Sequence, residues 1–472
     1  MTVAPLKVAV VGHTNTGKTS LLRTLTRDIG FGDVSNRAAT TRDVEAATLL
    51  VDGTPAMALF DTPGLEDSSG LLERLGAIRN AHGGDWTDAI HWFLDHPSEQ
   101  AGFGQEAKAI DQLVACDIAL YVVDARDRVH GKHRDELEIL GRSARPILPV
   151  LNFVAAPDAE PERWRSHLAR VNMHAVAAFD TVVLDEVSER QLYDKMRTLL
   201  DSFADIIDRV IADTNQRRQA LRRASAEVIA ELLIDAAAYA VAVPSDDQAR
   251  ADAATEDLKQ AIRDGEQDCV EALLDLHRFR PGDLLAETLP IEDGRWGQDL
   301  FSPESLVEFG VATGGGAATG AVLGLAIDAM VGGITLGAAA LTGGALGAVA
   351  GALGSRGRET LDSLRGYSVL RADTATLALL ARRQVALARA LLRRGHAAQD
   401  RMTLAAAGDS EDQSVLWQAL KRPLDGARHH DDWSRFTAGG MTRGSRGRDA
   451  LRNRLTALLS DALVQQSESL RD

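Results

Sequence analysis

The chain has 472 residues, 45% hydrophobic and 25% charged, a globular composition that excludes collagen-like and wholly disordered readings. Aromatic residues make up only 4%, so the apolar content is mostly Ala, Leu and Val and favours helix-rich packing over a β-sandwich. Two cysteines, Cys116 and Cys269, exclude a disulfide framework and a cysteine zinc cluster, and a net charge of −16 argues against a whole-chain nucleic-acid binder.

Taken in chain order, Leu6–Val11 is an apolar, β-branched strand, followed by a glycine-bearing turn and a helix at Thr19–Arg27. Ala47–Val51 and Ala56–Phe60 flank Asp52-Gly53, a hairpin turn signal. Ile118–Val123 and Ile147–Leu151 are further buried strands. Strands separated by helices predict an α/β domain with a mostly parallel sheet and helices on both faces. Leu65–Ala115 is a long mixed segment, expected as a helical insertion. Phe203–Val243 has helical spacing, ended by Pro244; Asp246–Arg278 reads as one helix or a helical pair, and Pro281–Pro303 as a connector. Gly310–Gly354 holds 14 glycines in 45 residues, with Asp328 its only charge. Leu361–His396, Ser414–Leu424 and Arg448–Leu463 read as helices. The expected division is an α/β domain over residues 1–202, with its insertion at about 65–115, then a helical region over 203–305. A Gly/Ala-rich apolar hairpin over 306–355 and a basic helical region over 356–472 follow. Residues 356–472 carry a net +6 and the first 355 a net −22.

Gly12-His-Thr-Asn-Thr-Gly-Lys-Thr19 fits GxxxxGK[ST] without mismatch, directly after a predicted strand and opening a helix, the context that gives the motif meaning. Its glycines let backbone N–H groups turn inward around phosphate oxygens, and the following helix offers its positive end to the anion. Lys18 is expected to reach the terminal phosphates and Thr19 to give Mg²⁺ a hydroxyl ligand; Gly12, Asn15, Thr16, Gly17 and Ser20 complete the candidate nucleotide contacts. Asp61-Thr-Pro-Gly64 follows the hairpin's second strand. There Asp61 is placed to hold Mg²⁺ through water, and Gly64 to offer its N–H to a γ-phosphate. Ala39-Thr-Thr-Arg-Asp-Val44, between the two motifs, holds a threonine able to complete the Mg²⁺ shell.

The words GHTNTGKTS, TTRDV and DTPG, in this order, resemble the Era and TrmE group of bacterial P-loop GTPases over about residues 5–200. The whole chain also looks like a bacterial family in which such a GTPase precedes an uncharacterised helical domain. The resemblance implies GTP/GDP and Mg²⁺ as cofactors, GTP hydrolysis, and Thr41 as the Mg²⁺ ligand, with Thr40 adjacent. Leu65 stands where Ras-like proteins place a water-orienting Gln. Relatives with that substitution recruit K⁺ through an asparagine in the P-loop, here Asn15. The resemblance therefore implies Lys18, Thr41 and Asn15 as catalytic, with K⁺ as a further cofactor and a nucleotide-dependent homodimer as a partner state. The other reading of Asn15 is support of the loop.

The resemblance breaks at the base-recognition motif. An NKxD is expected after the strand at Pro146–Leu151, and the chain reads Asn152-Phe-Val-Ala155. Asn152 matches, Phe153 keeps a surface on which a base can stack, and Ala155 accepts no hydrogen bond. Asp158 and Asp180 are candidate substitutes that spacing does not separate. Guanine specificity thus rests on the phosphate half of the site, with a relaxed base preference as the alternative.

The insertion follows the γ-phosphate-sensing loop, so it is read either as a transmitter of nucleotide state or as a lid that only packs on the domain. Its His82, His91 and His96 lack metal-ligand spacing. In Gly310–Gly354, glycines recur every fourth residue, at Gly316, Gly320 and Gly324 and again at Gly343, Gly347 and Gly351, which suits close helix contact. Two readings stand: a hairpin at the inner membrane, with Arg356, Arg358 and Arg365 meeting anionic lipid, or a protein-interaction core. With no signal peptide at Met1–Lys7, a cytoplasmic or peripheral membrane location is expected. The arginines of Ala381–Arg394 are expected on a solvated helix face, and Arg435–Arg448, which contains a GxxG, as an exposed loop. Nucleic acid is not expected as a partner.

Overall fold

Leu6–Val11 (β1) ends at the glycine turn and runs into Lys18–Thr26 (α1), as its apolar run and the following motif predict. Glu45–Val51 (β2) and Thr54–Asp61 (β3) form an antiparallel hairpin across Asp52-Gly53, both with positive φ, as a two-residue turn requires. The insertion is three helices, Ser68–His82 (α2), Trp86–Asp95 (α3) and Gly104–Val114 (α4). Ile118–Asp124 (β4), Gly131–Gly141 (α5), Ile147–Asn152 (β5), Pro161–Arg170 (α6), Ala177–Ala178 (β6) and Glu186–Leu199 (α7) complete the domain. The computed structural model describes residues 4–26, 44–182, 186–278, 291–292, 295–302, 305, 367–393, 410–437 and 445–464.

The sheet order is β2-β3-β1-β4-β5-β6, and every neighbouring pair except the β2–β3 hairpin is parallel. Alternate residues of β1 feed two cores, as the period of a strand demands. Leu6, Val8 and Val10 pack with Leu21, Leu22, Tyr193 and Met196 on one face. Ala9 and Val11 pack on the other with Leu71, Ile78, Phe93 and Ile110 from the insertion. The insertion is therefore half of the second face's core.

The chain divides into two compact units, and the division falls at Arg218 within the long helix Ala204–Ala238 (α8). The second unit is helical, with Gln248–Leu276 (α9) as one continuous helix. Short strands follow at Ile291–Glu292 (β8) and Arg295–Trp296 (β9). Later come Thr374–Arg393 (α10), Ser410–Ala427 (α11) and Arg446–Val464 (α12). Two stretches expected to be helical are strands instead. Ala240–Pro244 (β7) and Tyr367–Arg371 (β10) pair antiparallel, from Tyr367 opposite Pro244 to Arg371 opposite Ala240. Each is only five residues long, with its partner more than a hundred residues away, so each continues the helical pattern beside it.

The arginines of α10 correct a second expectation. Arg383 and Arg389 are buried, not solvated. The Arg383 guanidinium stands 3.1 Å from Glu266 and stacks on Trp296, while Arg389 donates to the Ala462 carbonyl at 2.7 Å, in the last turn of α12. Nor is Arg448 in an exposed loop: it is buried in the first turn of α12 and pairs with Glu231 and Asp235 of α8. The hairpin expected over 306–355, Arg356, Arg358 and Arg365 lie outside the described residues, as do Thr40 and Thr41. Among the described residues, no helix is long and apolar enough to cross a membrane.

Candidate nucleotide-binding site

The loop after β1 is built around positions where a side chain does not fit. Gly12 has a φ of 144°, and a Cβ there would stand 2.4 Å from the Val122 carbonyl oxygen of β4. At Gly17, φ is 89° and a Cβ would meet the Asn152 amide nitrogen at 2.2 Å. Between them Asn15 holds a φ of 66°, the left-handed conformation that asparagine tolerates. The Leu21 N–H donates to the Gly17 carbonyl at 2.8 Å, so α1 starts at the loop and presents its N-terminus to it. Thr16 closes the loop on itself through its hydroxyl and the His13 carbonyl (3.0 Å), and Ser20 is buried in α1's first turn.

Lys18 is buried at the loop, its Nζ donating to the carbonyls of His13 (2.8 Å) and Gly12 (3.2 Å). Burial lowers its pKa, opposed by the negative charges of Asp61, Glu136 and Glu66. The Thr19 hydroxyl donates to the Asp61 carboxylate at the buried end of β3. A hydroxyl and a carboxylate in contact are hard oxygen donors, the set Mg²⁺ takes when phosphate and water complete its shell. Among the described residues, no group of three or more His, Cys, Asp or Glu side chains is placed to hold a metal by itself.

The Asp-Thr-Pro-Gly turn lies directly on the P-loop. Thr62 donates to the Val10 carbonyl through its hydroxyl (2.7 Å), and a Cβ on Gly64 would stand 2.4 Å from the Thr14 hydroxyl. Leu65 is fully buried in the second-face core, so its side chain is a packing residue.

On the base side, the Asn152 amide donates to the Thr16 carbonyl at 3.0 Å and accepts from Phe153 N, Thr181 N and the Thr181 hydroxyl. Phe153 has a φ of 56°, and the Arg126 guanidinium lies 4.1 Å from its ring centre while pairing with Asp124. Asp180 accepts from Ala155 N (2.9 Å) and Val182 N (2.8 Å), which makes it a staple between two loops; Asp158 is exposed. Sequence reasoning missed Arg126 and Thr181. Thr181 directly follows the candidate Asp180, a neighbour that could have drawn notice, and Arg126 carries no signal short of the fold.

The family model described as "50S ribosome-binding GTPase" matches residues 7–153, and the one described as "Domain of unknown function (DUF3482)" matches residues 165–457. The chain is similar to the tRNA modification GTPase MnmE of Synechococcus elongatus, 26% identical over 245 residues that cover 49% of this chain and 50% of the relative. The MnmE of Picosynechococcus sp. is 38% identical over 90 residues, 19% of each chain. The chain thus spans about half the length of the first of these relatives. Among solved structures, Era of Aquifex aeolicus bound to GDP and AlF₄⁻ matches with 20% identity and a TM-score of 0.26, over 37% of this chain and 50% of that one. The P-loop, the DTPG turn and the matching family model make the N-terminal domain a P-loop GTPase domain, with a guanine nucleotide and Mg²⁺ as its cofactors. The chain belongs to the family defined by the domain of unknown function DUF3482, which here follows that GTPase domain.

Proposed function

We propose that the protein is a nucleotide switch that hydrolyses GTP to GDP and phosphate and couples its nucleotide state to a partner. The observation that carries this reading is the contact between Thr19 and Asp61, with Gly64 seated against Thr14 and Lys18 on the same loop. Lys18 holds the β- and γ-phosphates, Thr19 and Thr41 hold Mg²⁺, Asp61 anchors it through water, and Gly64 senses the γ-phosphate. Bound Mg²⁺ supplies charge neutralisation at the phosphates. Asn15 holds K⁺, which takes the place of an arginine finger; the buried Leu65, unable to orient water, supports that part of the reading. Phe153 offers a face to the base.

A second reading, a nucleotide-gated scaffold with negligible turnover or relaxed base preference, is favoured by Leu65 and by the missing acceptor at Ala155. The glycine-rich 306–355 segment gives either version a route to an anionic membrane surface, and a nucleotide-dependent homodimer is a further partner state. The relatives' name ties them to tRNA modification; the net charge of −16 counts against carrying RNA binding over to this chain.

Turnover in K⁺ against Na⁺, with and without anionic vesicles, tests the proposal. K⁺-stimulated hydrolysis supports the enzyme; binding without turnover in any condition leaves the scaffold. Equal rates in Na⁺ and K⁺ remove Asn15 from the mechanism.

A further inference from the structure

The segment after Gly64 is held at both ends by side chains that are not among the candidate nucleotide contacts. His13 Nδ1 stands 3.0 Å from the Leu65 carbonyl oxygen and 3.0 Å from Glu136 Oε1. Both are acceptors, so Nδ1 carries the proton and is shared between them. Glu136 lies on α5 with no exposed surface, and its other oxygen accepts from the Tyr121 hydroxyl at 2.6 Å. Burial pushes the Tyr121 phenol well above its usual range, so it stays a donor. One residue on, Glu106 Oε1 accepts from both Glu66 N (3.1 Å) and Asp67 N (3.0 Å). Glu106 is buried on α4, in the insertion, and Asp67 caps α2 by accepting from Gly70 N at 2.9 Å.

Three consecutive residues therefore have their backbone fixed by two carboxylates and a histidine from the P-loop, α4 and α5. Gly64 itself touches Thr14 with no room for a Cβ, and the Leu65 N–H donates to the Gly12 carbonyl at 3.4 Å, so Gly64 is held between the P-loop and the three clamped residues after it. A displacement of Gly64 must break the His13 and Glu106 contacts or carry them along, and with them α2 and α4.

We propose that His13, braced by Glu136, and Glu106 form a two-point clamp on the Leu65–Asp67 backbone that positions Gly64 and makes the three-helix insertion part of the γ-phosphate response. The inference rests on the reading of Gly64 as the γ-phosphate sensor. His13 and Glu106 are positioning residues that act through Leu65 and through Glu66 and Asp67. Exposed attachment would not need a buried carboxylate at each point, and burying one is costly unless its hydrogen bonds are made.

The test uses the full chain with His13→Ala, His13→Asn, Glu106→Ala and Glu106→Gln. Asn offers a donor near the Nδ1 position, and Gln keeps an acceptor oxygen. GDP affinity, single-turnover GTP hydrolysis and amide hydrogen exchange over residues 64–68 are measured, the last with GDP and with a non-hydrolysable GTP analogue. Both Ala variants are expected to keep GDP affinity and to lose about 10–100-fold in hydrolysis, the scale of a misplaced group. They should also lose the difference in exchange between the two nucleotides, and Asn and Gln should restore most of each loss. Parental hydrolysis with parental nucleotide-dependent exchange in either Ala variant overturns the clamp. So does a loss that the conservative variants fail to restore, or one that GDP affinity shares. Lys18→Ala separates the two readings: if it leaves GDP affinity intact, the nucleotide site itself is misassigned.

Discussion

Asn152 and Thr16 are joined by a hydrogen bond from the Asn152 amide to the Thr16 carbonyl, 3.0 Å long and fully buried on the asparagine side. The same side chain accepts from Phe153 N, Thr181 N and the Thr181 hydroxyl, so it locks the P-loop to the two loops on the base side. Asn152→Ala would strand several buried polar groups at once. We expect it to lower stability by about 2–4 kcal/mol, read as a drop in urea midpoint, and to weaken GTP and ATP binding together. A loss confined to guanine nucleotides would instead make Asn152 a reader of the base.

Gly17 provides a sharper probe of the loop. Its φ of 89° and the 2.2 Å approach of a would-be Cβ to the Asn152 amide make Gly17→Ala incompatible with the observed loop. Nucleotide affinity should fall at least about tenfold, or roughly 1.4 kcal/mol, by equilibrium titration. Gly53→Ala is the matched control. Its φ is 73° with nothing within 4 Å, so it should cost about 1 kcal/mol of stability and leave nucleotide binding unchanged. Equal effects on binding at both positions would mean that general destabilisation, not loop geometry, governs affinity.

Asp180 is one of two candidates for the missing base acceptor, and both of its oxygens already receive backbone N–H groups, from Ala155 and Val182. A carboxylate used this way shapes the loop. We therefore expect Asp180→Ala to weaken GTP, XTP and ATP by similar factors in competition binding. A selective loss of GTP would show that Asp180 also contacts the base.

The phosphate half of the site was legible because its residues are contiguous and each carries a local constraint. A strand, a glycine turn and a helix declare themselves within one continuous stretch, Leu6 to Thr26. The clamp was not legible: His13, Leu65, Glu106 and Glu136 meet only once the sheet and insertion are folded. The same distance hid the second unit's arginines. On α10 a basic face reads as solvated, yet Glu266 waits for Arg383 on α9, and Glu231 and Asp235 of α8 meet Arg448 more than two hundred residues later. A periodicity cannot reveal the partner that makes a buried charge tolerable, nor that Val241 and Val369 belong to a ribbon.

Glu266 gives the second unit a pH signature. Burial raises its carboxyl from 4.5 to about 7, against the pull of the Arg383 guanidinium 3.1 Å away and the Gln384 amide 3.0 Å away. Between those two values the folded chain holds a proton that the unfolded chain has released. Its contribution to stability is therefore complete below about pH 4.5 and is lost as pH rises towards 7. The loss amounts to at most about 3–4 kcal/mol. Glu266→Gln keeps the shape and removes the titration. Urea unfolding of both proteins at pH 5 and pH 8 isolates the effect, because every other group cancels in the difference. The parent should lose stability relative to the Gln variant on going to pH 8. If it gains instead, Glu266 is ionised throughout and its pairing with Arg383 outweighs the burial of both charges.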